Sequence, residues 1–421
     1  MKVSRRRFLA TAARGTALVS VGFGFPDLFS RALLAGGEGS SGRDSRILVV
    51  LELAGGNDGL NTVIPYANDL YHAARPGLAL GAGKVLRLDD EFGLHPSLEG
   101  VKNLWDAGRA AVVHGAGYPN PNRSHFEAMD IWHTARPLAE PETSGIGWLG
   151  RYLDEADFAR RVRIPAVALG SQLPLALSAA RTPVPAIDRP ESFGLGEDPG
   201  SPLDRESRRK TLQDLLTKGS GNSPKTSAAL EFLRGASRDA VLSAEEIQKM
   251  AAGYASPTLY PGTQIGQALR FVAQMMAADL GSRLYYVSYA GFDTHAGQGP
   301  AHQRLFEEMG SALDAFFKDM DHHSRADQVL VLSFSEFGRR VRSNGSGGTD
   351  HGAAGPMFLF SGKVKPGFAC RHPDLADLDD GDLRFTVDFR SVYASVLEDW
   401  LGAPSEAVLG GRFPKVEGLF A

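Results

Sequence analysis

The chain has 421 residues, of which 43% are hydrophobic and 22% charged, with a formal net charge of −4. The first 35 residues hold six basic side chains and one acidic side chain, so the remainder carries −9, a poor balance for nucleic acid, which is bound by neutralising phosphates. A single cysteine, Cys370, excludes an intramolecular disulfide, and the length suits one large α/β domain or two small ones.

The chain opens Met1-Lys2-Val3-Ser4-Arg5-Arg6-Arg7-Phe8-Leu9. A basic start, consecutive arginines and Phe-Leu behind them form the pattern of a twin-arginine translocase signal. Arginine stays charged at any biological pH, which suits an address read by a receptor. The apolar stretch from Gly15 to Phe29 is broken by Gly22, Gly24 and Pro26, and falls short of the roughly 20 apolar residues of a spanning helix. It occupies the place of a signal's hydrophobic region, which argues against a basic arm for nucleic acid. Residues 1–40 are therefore expected to send the folded protein to the periplasm or outside the cell. No clean cleavage site follows, so retention as an N-terminal membrane anchor is the other outcome.

From residue 41 to 421, runs rich in Val, Ile and Leu alternate with helical patterns, which predicts a mostly parallel sheet between helix layers. The first strand, Arg46–Leu53, runs into Ala54-Gly55-Gly56-Asn57-Asp58-Gly59-Leu60-Asn61. Paired glycines let backbone approach a ligand closely and Asp58 projects from the turn; a tight turn built on Asn and Asp is the alternative. A helix over Ser97–Ala107 precedes the second strand, Ala110–Gly115. That strand leads past Pro119 and Pro121 to Arg123, Ser124 and His125, where a helix over Ser124–Thr134 begins. Its exposed N–H groups and the adjacent Arg favour an oxyanion. Ser124 is either a nucleophile beside His125 or a simple N-cap. After a strand over Ile164–Leu169 the composition turns to Pro, Gly, Ser and charge, read as an insertion or cap around residues 180–260, or else as surface helices with a loop.

A helix over Thr263–Asp279 leads to the strand Leu284–Tyr289, which runs into Gly291-Phe292-Asp293-Thr294-His295. In the helix Ala301–Met320, Leu305, Met309, Ala312, Leu313, Phe316 and Phe317 recur at helical spacing and mark a core face. The strand Gln328–Ser333 leads to Ser335-Glu336-Phe337-Gly338-Arg339. The Gly-rich loop Asn344–Gly348 then delivers Thr349-Asp350-His351-Gly352 ahead of the strand Pro356–Phe360 and a helix over Arg390–Leu401. Ligands of open α/β sheets bind beyond the carboxyl ends of the strands. Three clusters of carboxylates and imidazoles at such ends predict a shared site for a divalent cation.

These clusters, in this order, resemble the alkaline phosphatase/sulfatase superfamily and, more closely, an uncharacterised bacterial family within it that is exported by the twin-arginine route. The resemblance runs from Val49 to Leu401. It implies an alkaline-phosphatase-like three-layer α/β/α sandwich with a mostly parallel central sheet. It also implies one or two divalent metals and a Ser, Thr or modified Cys that attacks a phosphate or sulfate ester. By position, Asp293 and His295 resemble ligands of the first metal, and His351 the late histidine that completes it. Glu336 stands for the Asp of an Asp-His pair, and Arg123 for the arginine that follows a sulfatase nucleophile. Phe337 takes the place of that pair's histidine, and Pro119 falls at the nucleophile position. Leu53-Ala54 occupies the place of an aspartate, leaving Glu52 or Asp58 as substitutes.

The expectation is an exported, metal-dependent hydrolase of sulfate or phosphate esters. Asp293, His295, Glu336 and His351, with Asp58 nearby, would hold zinc or calcium; Arg123, Ser124 and His125 form the catalytic group. The twin-arginine translocase is the partner during export, a small anionic ester the substrate, and nucleic acid is excluded. The rival is a non-catalytic exported binding or assembly protein with a degraded site, which Phe337 and Pro119 favour, since fold does not imply function.

Overall fold

The computed structural model describes residues 46–136, 145–156, 162, 164–188, 253–279 and 281–421. The expected export segment, residues 1–40, and most of the expected insertion around 180–260 lie outside the described residues. Among the described residues no helix is long and apolar enough to cross a membrane.

β1 Ile47–Ala54, β2 Ala110–Gly117, β3 Ala166–Leu169, β4 Ala186–Ile187, β5 Leu284–Ala290 and β6 Val329–Phe334 form most of the central sheet; all but β4, which lies in the stretch expected as an insertion or cap, fall on the expected runs. A small hairpin follows, β7 Arg339–Ser343 with β8 Thr349–His351, before the sheet resumes with β9 Gly355–Phe360, β10 Gly367–Ala369 and β11 Val387–Asp388. The order across the sheet is β10-β2-β9-β6-β1-β5-β3-β4, with β11 also paired to β2. Only β9 runs against the others, antiparallel to both β2 and β6. β1 lies at the centre, parallel to β5 and β6 on either side, and its sequence ILVVLELA is buried over seven residues. A near-continuous aliphatic run is what a parallel strand covered on both faces requires.

Alternate residues of β1 feed two cores. Val49 and Leu51 pack with α1 (Glu99–Asp106), α4 (Gln264–Ala277) and α5 (Gln298–His322). Leu48 and Val50 pack with α2 (His125–Thr134), α3 (Trp148–Glu155) and α6 (Phe389–Ser395), which continues as a π-helix through Leu401. Helices cover both faces of a mostly parallel sheet, so the fold is the expected three-layer α/β/α sandwich. The stripe from Leu305 to Phe317 is buried along α5 as its spacing predicts.

One polar residue interrupts the middle strand. Glu52 is buried, with Ser288 Oγ at 2.8 Å and His133 Nε2 at 2.9 Å, and it also accepts from Tyr286 Oη. A buried carboxylate needs such partners. They tie the last turn of α2 to the sheet, far from any metal-ligand role for Glu52.

Candidate metal centre

The carboxyl ends of β1, β5 and β6 converge, and glycines make the convergence possible. Gly55 has φ +123°, and a Cβ there would overlap the backbone N of Asp293. Gly56 has φ +75°, and a Cβ would overlap the Phe337 ring. The turn after β1 therefore lets the Asp293 loop and Phe337 close over it.

Around that turn His125, Asp293 and His351 offer ligand atoms that all lie within 4.8 Å of one another. His295 joins them, its Nε2 2.9 Å from His351 Nε2 and 3.1 Å from Asp293 Oδ1. His351 Nε2 is 3.2 Å from the same oxygen, and His125 Nε2 is 3.5 Å from Asp293 Oδ2. Two donors about 2.05 Å from one tetrahedral ion sit about 3.3 Å apart, so these separations are those of a ligand cage.

The other nitrogen of each ring decides the tautomer. His351 Nδ1 faces the backbone carbonyl of Arg123 at 2.9 Å, so it must carry a proton and donate it. His125 Nδ1 meets Glu336 Oε1 at 2.8 Å, and His295 Nδ1 meets Asp350 Oδ1 at 3.2 Å. In the neutral rings each Nε2 is then a lone pair turned toward Asp293. Facing lone pairs of His295 and His351 at 2.9 Å repel unless a cation lies between them. Two imidazoles and one carboxylate within mutual reach, with the third imidazole against His351 and Asp293, fit a borderline divalent ion.

Asp293 itself is held for ionisation. Burial pushes its carboxyl up, but the hydrogen bond and charge of the Arg339 guanidinium outweigh this, leaving it at about 2. Arg339, fully buried, donates Nη2 to Asp293 Oδ1 at 2.8 Å and spends its other protons on the carbonyls of Gly55, Gly56, Phe292 and Thr349. The centre is open to solvent on one side, with 49% of the Asp293 side chain and 45% of His295 exposed.

The expected site residues divide accordingly. Asp293, His295 and His351 come together, and His125, expected as a catalytic group, lies among them. Glu336 does not face the centre: Oε1 accepts from Gly55 N and His125 Nδ1, both at 2.8 Å, and it is buried behind that histidine. Asp58 is placed elsewhere too. It is fully buried against Arg75, with Gln298 on the same oxygen, because a buried carboxylate is stable only when its charge is matched. Arg123 turns its guanidinium to Asp382, with Asp380 at 3.9 Å, and contributes only its carbonyl to the centre. Ser124 sits at the N-cap position of α2, yet its hydroxyl makes no capping bond and is exposed; Asn122 Oδ1 accepts from its backbone N instead. Phe337, in the place of an expected histidine, packs on His351 and His125 at centroid distances of 4.6 and 5.0 Å. It fixes rings where a further ligand was absent.

A family model described as "Protein of unknown function (DUF1501)" matches residues 45–377. The chain belongs to that family. No curated protein matches it. Among solved structures, a sulfatase (PsFucS1) from Pseudoalteromonas sp. is 11% identical with a TM-score of 0.41, over 95% of this chain and 77% of that one. The lipoteichoic acid synthase LtaP from Listeria monocytogenes is 10% identical with a TM-score of 0.35, over 77% and 68%. A protein in the alkaline phosphatase superfamily from Vibrio parahaemolyticus is 9% identical with a TM-score of 0.31, over 77% and 62%. Likeness this loose carries no weight for the chemistry of the family's members, which rests on the centre itself.

Proposed function

We propose that this member of the family is an exported, metal-dependent hydrolase of phosphate or sulfate esters. The observation that carries the reading is the convergence of three imidazoles, each with Nδ1 anchored and Nε2 turned inward, on the ionised Asp293. A divalent ion held there would supply Lewis acidity toward a phosphoryl or sulfuryl oxygen, and a nitrogen-rich donor set favours zinc over calcium, which prefers all-oxygen ligands.

The chain's own residues would do the rest. His125, Asp293 and His351 would hold the ion, with His295 beside His351 and Asp293 as a further donor, while Arg339 and Glu336 fix Asp293 and His125 in orientation. The N–H groups of the first turn of α2 attract the anionic group of the ester. Ser124 presents a hydroxyl with no hydrogen-bond partner among the described residues, next to His125, and is the nucleophile of this reading. The test is turnover of a panel of aryl phosphates and sulfates by the zinc-loaded chain and by Ser124→Ala. Hydrolysis of one class, lost in the variant, supports the reading; hydrolysis that survives in the variant removes Ser124 from it.

One observation favours the rival, a non-catalytic exported binding or assembly protein with a degraded site: the Arg123 guanidinium is committed to Asp382 rather than to the centre. Zinc loading without turnover of any ester would decide for it. Export is part of the proposal and is supported by Arg5, Arg6, Arg7, Phe8 and Leu9. Replacing Arg5 and Arg6 with Lys should hold the protein in the cytoplasm, and unchanged export would contradict the twin-arginine route.

A further inference from the structure

Beneath the centre lies a polar residue with no catalytic neighbour of its own. Gln298 is the first residue of α5 and is 1% exposed. Its Oε1 accepts from Thr294 Oγ1 at 3.2 Å and from Thr349 Oγ1 at 2.6 Å, while its Nε2 donates to Asp58 Oδ2. Thr294 lies between Asp293 and His295; Thr349 precedes Asp350 and His351 by one and two residues. One amide thus grips both ligand-bearing loops.

Backbone bonds show that the two loops meet here: Thr349 N donates to Thr294 O at 3.3 Å, and Gln298 N to Gly347 O at 3.0 Å. Those bonds bring the loops together, and the amide both joins them through Thr294 and Thr349 and ties them to the body of the fold. Asp58, its third partner, is fixed by Arg75, which also donates to the carbonyls of Arg340 and Val341 in β7. The chemistry specifies an amide: one end must accept two hydroxyls and the other must donate to a carboxylate. A Glu at 298 would set a second carboxylate against Asp58.

We propose that Gln298 is a positioning residue for the metal centre, clamping the Asp293–His295 loop to the Asp350–His351 hairpin so that their ligand atoms stay at cage distance. The inference rests on the metal reading. Partners behind a ligand set its affinity without touching the ion, and a buried amide holding two loops at once is such a partner.

The test is zinc affinity, by competition with a chromophoric chelator, for the full chain, Gln298→Met, Thr349→Val and the double variant, with zinc-free melting temperatures alongside. Each single substitution should weaken zinc by about tenfold to a hundredfold. The double variant should bind no more weakly than Gln298→Met, because the hydroxyl's acceptor is already gone. Unchanged zinc affinity in Gln298→Met, whether or not its melting temperature falls, would overturn the inference and leave a purely structural role. If Gln298→Met does not fold, Thr349→Val carries the same comparison at the far end of the clamp. A wild-type chain that binds no zinc would instead overturn the metal reading, and this inference with it.

Discussion

Replacing Arg75 with Met would separate the buried ion pair from the metal centre. Arg75 is fully buried and pairs with Asp58, which is equally buried; its guanidinium also donates to Asn61 Oδ1 and to the carbonyls of Arg340 and Val341. Met fills much of the same volume and removes the charge, leaving an uncompensated carboxylate in the interior. Breaking a buried pair from one side typically costs about 3–5 kcal/mol, a large part of the ~5–15 kcal/mol that holds a folded protein together. The pH dependence gives the mechanism its signature. Burial pushes Asp58 up, but Arg75 outweighs it and the folded carboxyl lies below its ordinary value. Its contribution is therefore fully present above the unfolded pKa and is lost as pH falls through the folded one. In the variant, burial acts unopposed by Arg75, so Asp58 takes up a proton at higher pH and sheds its penalty. Urea unfolding with chelator present should show a gap of about 3–5 kcal/mol at neutral pH, narrowing toward pH 3. A loss below about 1 kcal/mol, or a gap independent of pH, would refute the reasoning.

Glu336→Gln should keep the fold, since its amide oxygen can still accept from Gly55 N and His125 Nδ1, while the loss of charge behind His125 weakens zinc binding by about tenfold or more; equal affinity in a chelator competition would count against that role. Gly55→Ala forces a side chain into φ +123° and into Asp293 N. It should lose at least about 1–3 kcal/mol and most of its metal, read by denaturant melts and elemental analysis, and wild-type values for both would contradict the account of the turn.

The aliphatic run of β1 and the 3.6-residue stripe of α5 announced strand and helix because burial on both faces, or on one, leaves a periodic mark in sequence. The clusters Asp293-Thr294-His295 and Asp350-His351 stood out for a similar reason, as polar groups set just past apolar strands. Their partners did not. Whether Glu336 faces an ion or stands behind His125 depends on how the ends of β1, β6 and the start of α2 meet, which no local pattern encodes. Asp58 looked like a ligand because its neutralising partner, Arg75, lies 17 residues on, in a segment with no marked periodicity. His125 was legible as a site residue, but its place among the ligands needed the tautomer set by Glu336. Gln298, between Gly297 and Gly299, carried no signal at all: a buried amide is distinguished from an exposed one only by its neighbours.

The central claim is that the inward-facing imidazoles and Asp293 hold a divalent ion, and metal analysis of the purified chain beside His351→Ala tests it most directly. His351 belongs to the close group with His125 and Asp293 and also faces His295, so the account predicts about one stoichiometric metal in the wild type and its loss from the variant. No metal in the wild type after reconstitution with zinc, calcium, magnesium or manganese, or an equal content in the variant, would contradict it.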